Sequence, residues 1–345
     1  MAATGACVAA HVSPERYRPY ELSLCPEDVE VYEAALEGLL ALWDCVPLPS
    51  GTSVEFAAEL ADRMRRDIPE LFYVGGTTVT FRGSRLRPHG VALRPTYRLG
   101  AGGAASLLDQ MERSADLFLG DVSGLDRYGR VLAAHDWLAG RLRYADGNRA
   151  YAHEAPGPLV YGVGVCEGAA KALKFLCDRC GVRCGVVVGE ALGDGDEKGG
   201  PHAWNVVEVE GAGWETVWAN VDVTFDATIS HGAVRHDYLY LSDAALAKTH
   251  RRDAGEPLPV CGGAPGYYAR LGLVASSASR LVRIVDTALE RAGALEFLLP
   301  VVADDHEVLL DAVERVLEGS RALAGHAYAL YPNFDTGVFG LEVLS

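Results

Sequence analysis

The chain has 345 residues, of which 49% are hydrophobic and 23% are charged, and its formal net charge is −16. This length allows about two domains. The acidic excess argues against nucleic acids and anionic membrane surfaces as partners, because both are bound through basic patches. No apolar run approaches the ~20 residues that span a bilayer, and the first twenty residues lack the basic and apolar blocks of a signal peptide. We therefore expect a cytoplasmic protein with no membrane span.

The patterns before residue 150 predict a helical and β region. Apolar residues recur at helical spacing in four stretches, and a β-rich stretch between the second and third of them carries Gly75-Gly76 and Pro88-His89-Gly90 as expected turns. No activity can be inferred from this region. The predicted elements are helices over 26–43, 54–66, 105–117 and 126–142 and two or three strands within 71–97.

A helix is predicted to begin at Cys166 and to stop at Gly181. Ala170, Leu173 and Leu176 lie three or four residues apart and form its buried face. Cysteine attacks acyl carbons only as the thiolate, and both a helix N-terminus and an adjacent imidazolium favour that form. A thiol in the first turn of this helix meets the first condition. The backbone N–H groups there could also hold an oxyanion.

A base and an acid follow in two strand-like runs. His202 opens an alternating run that ends at Val209, and Asp222 lies in a second run that begins at Trp214. The short link between the runs predicts antiparallel neighbours, which can bring both side chains to the helix N-terminus. A histidine can take the thiol proton, and a carboxylate can orient the imidazole. Taken singly, each residue also fits a structural role, and the combination favours catalysis.

Two other features of the sequence could form functional sites. Cys177, Cys180 and Cys184 have short zinc-like spacing, but no second ligand pair accompanies them, so we predict no metal site. The eight cysteines are spread through apolar patterns, which favours reduced thiols. The glycine-rich stretch 189–200 is predicted to be a solvated hairpin loop or, alternatively, a mobile flap beside the site.

The remaining chain predicts a small α+β domain without a motif of its own. A closing hairpin is expected around Pro332-Asn333. The predicted elements are helices over 276–291 and 305–317 and strands over 295–302, 326–331 and 337–344. The predicted domains are a flexible N-terminus over 1–20, a helical and β region over 21–150, a catalytic core over 151–250 and the C-terminal domain over 251–345.

Three motifs together resemble the transglutaminase-like superfamily, whose core is related to papain-like cysteine proteases. They are Cys-Glu-Gly at Cys166, His-Ala-Trp-Asn at His202 and Val-Asp-Val-Thr-Phe-Asp around Asp222. The bacterial branch is the most similar, and the resemblance extends to 68–72 and to 238–243 with His250. It implies an α+β fold with a nucleophile helix against an antiparallel sheet. It also implies that Cys166 is the nucleophile, His202 the base and Asp222 the orienting acid.

The resemblance implies cysteine acyl transfer on amide bonds of peptides or proteins, without a cofactor. Water as the acceptor would make a peptidase or deamidase, and an amine would make a transamidase. Tyr161, Glu167 and Trp204 are the candidates for substrate or oxyanion contacts. The alternatives are a non-catalytic interaction scaffold on the same fold and a zinc-stabilised binding module. The oligomeric state is not predicted.

Overall fold

The structure of the protein, a computed structural model, describes residues 8–12, 16–120, 122–145, 148–193, 199–211, 213, 215–230, 233–264, 266–290, 292–300 and 305–344. The helices are α1 (Pro19–Leu22), α2 (Pro26–Leu40), α3 (Val54–Asp67), α4 (Ala101–Leu119), α5 (Arg127–Ala139), α6 (Cys166–Arg179), α7 (Val223–Ile229), α8 (Asp243–Leu246), α9 (Tyr267–Arg270), α10 (Ala278–Leu289) and α11 (His306–Leu317). The strands are β1 (Val46–Pro47), β2 (Val74–Ser84), β3 (Arg87–Tyr97), β4 (Arg143–Tyr144), β5 (Val163–Gly164), β6 (Cys184–Ala191), β7 (Gly200–Glu210), β8 (Thr216–Val221), β9 (Leu239–Leu241), β10 (His250–Arg252), β11 (Ala294–Leu298), β12 (Ala327–Asn333) and β13 (Val338–Leu344).

The N-terminal region contains a long hairpin, β2–β3, with β1 on the outer side of β3. Both predicted turns are wrong, because Gly75-Gly76 lies within β2 and Pro88-His89-Gly90 within β3. The chain reverses between Ser84 and Arg87, which pair across the turn. The glycines lie where the pairing is irregular: the register shifts between Val74 and Gly76. Turn-forming residues therefore mark bulges here, not chain reversals.

The described part of the predicted flexible N-terminus packs against the rest of the chain. Val8 is fully buried, and the buried Arg16 guanidinium makes a two-pronged ion pair with Glu70, with 2.6 Å between Nη2 and Oε1. A buried, doubly hydrogen-bonded pair of this kind holds the backbone in one place. Residues 8–12 and 16–20 of the predicted flexible segment therefore contact the rest of the fold, whereas 1–7 and 13–15 lie outside the described residues.

A five-stranded antiparallel sheet with the order β10-β6-β7-β8-β9 forms the centre of the fold. Helix α6 lies across β6 and β7, and the apolar residues of β7 are buried because both faces of that strand are covered. Gly181, with φ of +73°, lies just beyond the end of α6 as expected. The centre of the fold thus combines a helix with an antiparallel sheet, as the sequence predicts.

The second predicted strand run ends earlier than expected. Strand β8 stops at Val221, and Asp222 is the N-cap of α7, its Oδ1 accepting hydrogen bonds from the N–H groups of Thr224 at 2.8 Å and Phe225 at 3.1 Å. An aspartate at this point ends the strand because its side chain satisfies the first N–H groups of a helix. Trp214, the predicted start of the run, lies outside the described residues.

The C-terminal residues form a second sheet, β11-β13-β12, with a core of its own against α10 and α11. Strand β12 continues through Pro332 and Asn333, so the hairpin turn falls after them and not around them as predicted. The chain after His250 first returns to the central sheet, where β10 pairs with β6. Among the described residues, no helix combines the length and apolar character that a membrane span requires.

Candidate active site

Cys166 is the first residue of α6, and no side chain caps the helix at its N-cap residue, Val165. The N–H groups of the first turn therefore remain available to an anion beside the thiol. The turn lies directly on the segment that precedes it: a Cβ added to Gly168 would lie 2.2 Å from the carbonyl oxygen of Ala152. Only glycine allows this contact, which fixes the position of Cys166.

His202 and Asp222 form a short hydrogen bond, with 2.6 Å between Nε2 of the ring and Oδ2 of the carboxylate. His202 lies on β7 and Asp222 directly after the neighbouring strand β8, and both are buried. The Cys166 side chain is close enough to the His202 ring to raise its pKa. Because Asp222 engages Nε2, the ring nitrogen left for the thiol is Nδ1. The three residues predicted as a triad are thus brought together.

The charges of this group favour an ionised histidine. Burial lowers the pKa of His202, but the charge and hydrogen bond of Asp222, followed by the hydrogen bond with Cys166, raise it overall to about 10. Burial also raises the pKa of Asp222, yet His202 and then His250 hold it well below its ordinary value. At neutral pH the His202 ring is therefore an imidazolium.

His250 also belongs to this group, although the sequence motifs assign it no catalytic role. Its Nε2 lies 3.0 Å from the same Oδ2 of Asp222, and its Nδ1 lies 2.8 Å from the hydroxyl of Thr249. In the sequence, His250 stands out only because the family resemblance extends to it. Its position depends on β10 returning to the edge of the central sheet, and the polar sequence of β10 does not predict that pairing.

Aromatic rings enclose the two histidines. The Phe225 ring centroid lies 4.9 Å from that of His202 and 4.5 Å from that of His250. Trp204 packs on His250, but it is buried and its indole N–H donates to Oδ1 of Asn220 at 3.0 Å. The indole N–H is thus already used inside the protein, and contact of Trp204 with a substrate stays a prediction.

The other two contact candidates lie nearer the surface. Tyr161 is half exposed and stacks on Tyr151 at 6.2 Å between ring centroids. Glu167 contacts Lys171 at 2.8 Å and His153 at 3.2 Å. Burial raises the pKa of Glu167, but Lys171 and then His153 lower it below its ordinary value. An ionised carboxylate has no proton to donate, so any contact of Glu167 with an oxyanion would come from its backbone N–H in the first turn of α6 and not from its side chain.

Tyr144 is a further residue beside the site that the sequence did not single out. It pairs with Gly164, two residues before Cys166, in the short parallel contact between β4 and β5. Burial raises the pKa of Tyr144, and the negative charges of Cys166 and Asp222 raise it further. Its phenol is therefore protonated at neutral pH and can donate a hydrogen bond. No local motif could reveal it, because the β4–β5 contact joins segments almost twenty residues apart.

Phe225 also lines a cavity of about 670 Å³. Helix α7 forms one wall, and the end of β12 with the turn after it forms the other. Aromatic side chains from both walls line it, so the cavity lies between the rings around His202 and the C-terminal sheet. Its aromatic lining consists of Phe225, Tyr238, Tyr331 and Phe334.

Residues 121–222, which include Cys166, His202 and Asp222, match the family model of the Transglutaminase-like superfamily. No curated protein matches the chain. A provisionally assigned cysteine protease from Cytophaga hutchinsonii is similar, with 22% identity over 34% of this chain and 37% of that chain and a TM-score of 0.27. A TGase matches with 12% identity over 52% and 49% of the two chains and a TM-score of 0.30.

A provisionally assigned protease from Parabacteroides distasonis matches with 11% identity over 69% of this chain and 48% of that chain and a TM-score of 0.24. This chain thus spans less than half the length of each of these three structures.

Proposed function

We propose that this protein is a cysteine acyltransferase or hydrolase that acts on amide bonds of peptides or proteins, because residues 121–222 match the family model of the Transglutaminase-like superfamily. The observation that carries the proposal is the 2.6 Å bond between His202 and Asp222 beside Cys166, at the N-terminus of a buried helix. Nucleophile, base and orienting carboxylate in this order are the parts that nucleophilic acyl transfer needs.

The first half of the reaction is acylation of Cys166. The thiolate attacks the carbonyl carbon of the substrate amide and forms a tetrahedral oxyanion. The N–H groups of the first turn of α6 support the negative oxygen, and the Tyr144 hydroxyl is a second donor of the right kind. The imidazolium of His202 gives its proton to the amide nitrogen, the C–N bond breaks, and an amine or ammonia leaves a thioester on Cys166.

The second half returns the enzyme to its starting state. The neutral His202 takes a proton from the acceptor, which attacks the thioester carbon. The C–S bond then breaks and the thiolate–imidazolium pair forms again. Water gives hydrolysis, and a primary amine gives a new amide. Asp222 holds the imidazole with Nδ1 toward the sulfur in both halves and stabilises its positive charge without accepting the proton.

The aromatic cavity beyond Phe225 supports a polypeptide as the substrate. A cleft of about 670 Å³ is large enough for several side chains. Phe225 both lines this cleft and packs on His202, so we expect a chain bound in the cleft to extend toward the candidate active site. The net charge of −16 disfavours strongly acidic segments as substrates.

The proposal is tested with glutamine-containing peptides and a fluorescent primary amine. Three products are measured together: released ammonia, new peptide N-termini, and amine joined to the peptide. We expect at least one of them to form with the natural protein and to be absent with Cys166→Ser. Deamidation, proteolysis and transamidation are separated by which product forms.

If the products form equally with Cys166→Ser, or if none forms across a peptide library, the proposal is wrong. The second result would favour the alternative of a non-catalytic scaffold on the same fold.

A further inference from the structure

A second group of histidines and carboxylates lies away from the candidate active site. His135 and Asp136 are neighbours on α5, and His236 lies in the segment that leads to β9. Nδ1 of His135 is 2.9 Å from Oδ1 of Asp136, and Nε2 of His236 is 3.0 Å from the same oxygen. The three atoms lie within 4.8 Å of one another, so one ion could contact all of them.

The outer nitrogen of each ring also faces a carboxylate. Nε2 of His135 lies 2.9 Å from Oδ2 of Asp226, and Nδ1 of His236 lies 2.6 Å from Oε2 of Glu296. A metal-bound histidine almost always donates its other N–H to such a partner, which fixes the ring and strengthens the ligand. The group therefore has both an inner set of ligand atoms and the outer set of carboxylates that supports it.

The hydrogen bonds of the two imidazole rings also favour a bound cation. A neutral imidazole has one N–H, so a ring with a carboxylate at both nitrogens leaves one lone pair facing a negative oxygen. Two imidazolium rings would match every carboxylate oxygen with an N–H, at a separation of 5.5 Å between ring centroids. One divalent cation at the two inner nitrogens carries the same total charge as the two protons it replaces.

We propose that Nδ1 of His135, Nε2 of His236 and Oδ1 of Asp136 bind one divalent transition-metal ion, zinc in the first place. Two imidazoles with one carboxylate suit zinc and its neighbours and not calcium or magnesium. In a tetrahedral zinc site the ligand atoms are about 3.4 Å apart, so each nitrogen moves away from Oδ1 of Asp136 by about half an ångström. The Asp136 side chain is 42% exposed, which lets the ion enter and a water molecule complete the coordination.

The group at the candidate active site does not share this pattern. His202, Asp222 and His250 also bring three ligand atoms together. Their outer nitrogens, however, face the thiol of Cys166 and the hydroxyl of Thr249 and no carboxylate. The two groups can therefore be distinguished by variants of each.

The ion would have a structural role, because its ligands and their carboxylate partners come from separate parts of the fold. They join α5, the segment before β9, helix α7 through Asp226 and the C-terminal sheet through Glu296. Asp226 lies one turn after Asp222 on the same helix. The site thus links the C-terminal sheet to the helix whose first turn Asp222 caps.

The test uses the full chain without an affinity tag, stripped of metal with a chelator. Cobalt and then zinc are added while bound metal, the visible absorption of cobalt and the unfolding temperature are measured. We expect one ion per chain, a cobalt spectrum typical of nitrogen and oxygen ligands, and a higher unfolding temperature. Asp136→Asn and His236→Gln should weaken cobalt binding at least ~100-fold, and Glu296→Gln roughly 10- to 100-fold.

His89→Gln, which alters an exposed histidine on β3, is the matched control and should bind as the natural protein does. If the natural protein gives no cobalt spectrum, or if the spectrum survives both Asp136→Asn and His236→Gln, the proposal is wrong. Loss of the ion in His250→Gln alone would place it at the other group and would also overturn the proposal. Should Asp136→Asn fail to fold, Glu296→Gln and the natural protein still decide the question.

Discussion

Asp222 and Asp226 lie one turn apart on the same short helix, and each accepts a hydrogen bond from a different histidine. Oδ2 of Asp222 lies 2.6 Å from His202, and Oδ2 of Asp226 lies 2.9 Å from His135. Helix α7 therefore holds one carboxylate at each of two buried histidine clusters. Its placement determines the orientation of His202.

Asp222→Asn should reduce the reactivity of Cys166 strongly. The amide no longer stabilises the imidazolium and favours the wrong tautomer, a change that costs up to ~10⁴ in rate in triad enzymes. Alkylation by iodoacetamide at pH 6, followed by peptide mapping, measures the effect. Asp305→Asn is the matched control, because Asp305 also caps a helix, α11, but this helix belongs to the C-terminal domain. Equal rates for the two variants would remove Asp222 from the site.

His250 is expected to act as a positioning residue through Asp222. His250→Ala removes a buried donor and should lower the free energy of unfolding by about 1–3 kcal/mol while slowing alkylation of Cys166. His250→Gln keeps an N–H of similar reach and should restore at least half of the lost rate. A purely packing role predicts equal rates for both variants, so the difference between them is the decisive measurement.

Gly168→Ala should displace the first turn of α6. The added Cβ meets the carbonyl oxygen of Ala152 at 2.2 Å, and overpacking of this kind costs about 1–3 kcal/mol. Alkylation of Cys166 should slow with it. Gly102→Ala in α4 is the control, since its Cβ meets nothing within 4 Å and helix propensity favours alanine. If the two variants unfold at the same denaturant concentration, the close contact at Gly168 is not required.

Asp67 gives a pH dependence with a defined sign. Burial raises its pKa to about 6, although Lys174 opposes this, and the unfolded value is ~3.9. The stability it contributes is full below about pH 4 and is lost as the pH rises through about 6, a difference of about 3 kcal/mol. The natural protein should therefore lose that much relative to Asp67→Asn between pH 4 and 7. Asp62→Asn, an exposed residue on the same helix, should show no such slope.

Local patterns predicted the helix at Cys166 and the neighbouring runs at His202 and Asp222, because burial on one helical face and alternation in strands leave a direct trace in the sequence. Contacts between distant segments left no such trace. His250 reaches Asp222 only because β10 returns to the sheet edge. The prediction of no metal considered only closely spaced cysteines, whereas His135 and His236 are brought together by folding across a hundred residues.

Backbone details were also beyond the sequence patterns. Gly75-Gly76 and Pro88-His89-Gly90 have the composition of turns, yet both lie inside paired strands, where one is accommodated by a register shift. Similarly, no sequence pattern shows that the indole N–H of Trp204 donates to Asn220. The residue type limits which backbone conformations are possible, and the contacts of that residue within the fold decide which one it adopts.

The central claim is that Cys166 forms a thioester during turnover. The most direct measurement is reaction with p-nitrophenyl acetate, an activated ester that acylates a nucleophile whatever the natural substrate is. Released nitrophenolate is followed over the first seconds, and the acetylated residue is located by mass spectrometry. We expect a burst of one equivalent with the acetyl group on Cys166, removable by hydroxylamine, and no burst in Cys166→Ser or Asp222→Asn. An equal burst in Cys166→Ser, or acetylation spread over the other cysteines, would contradict the account.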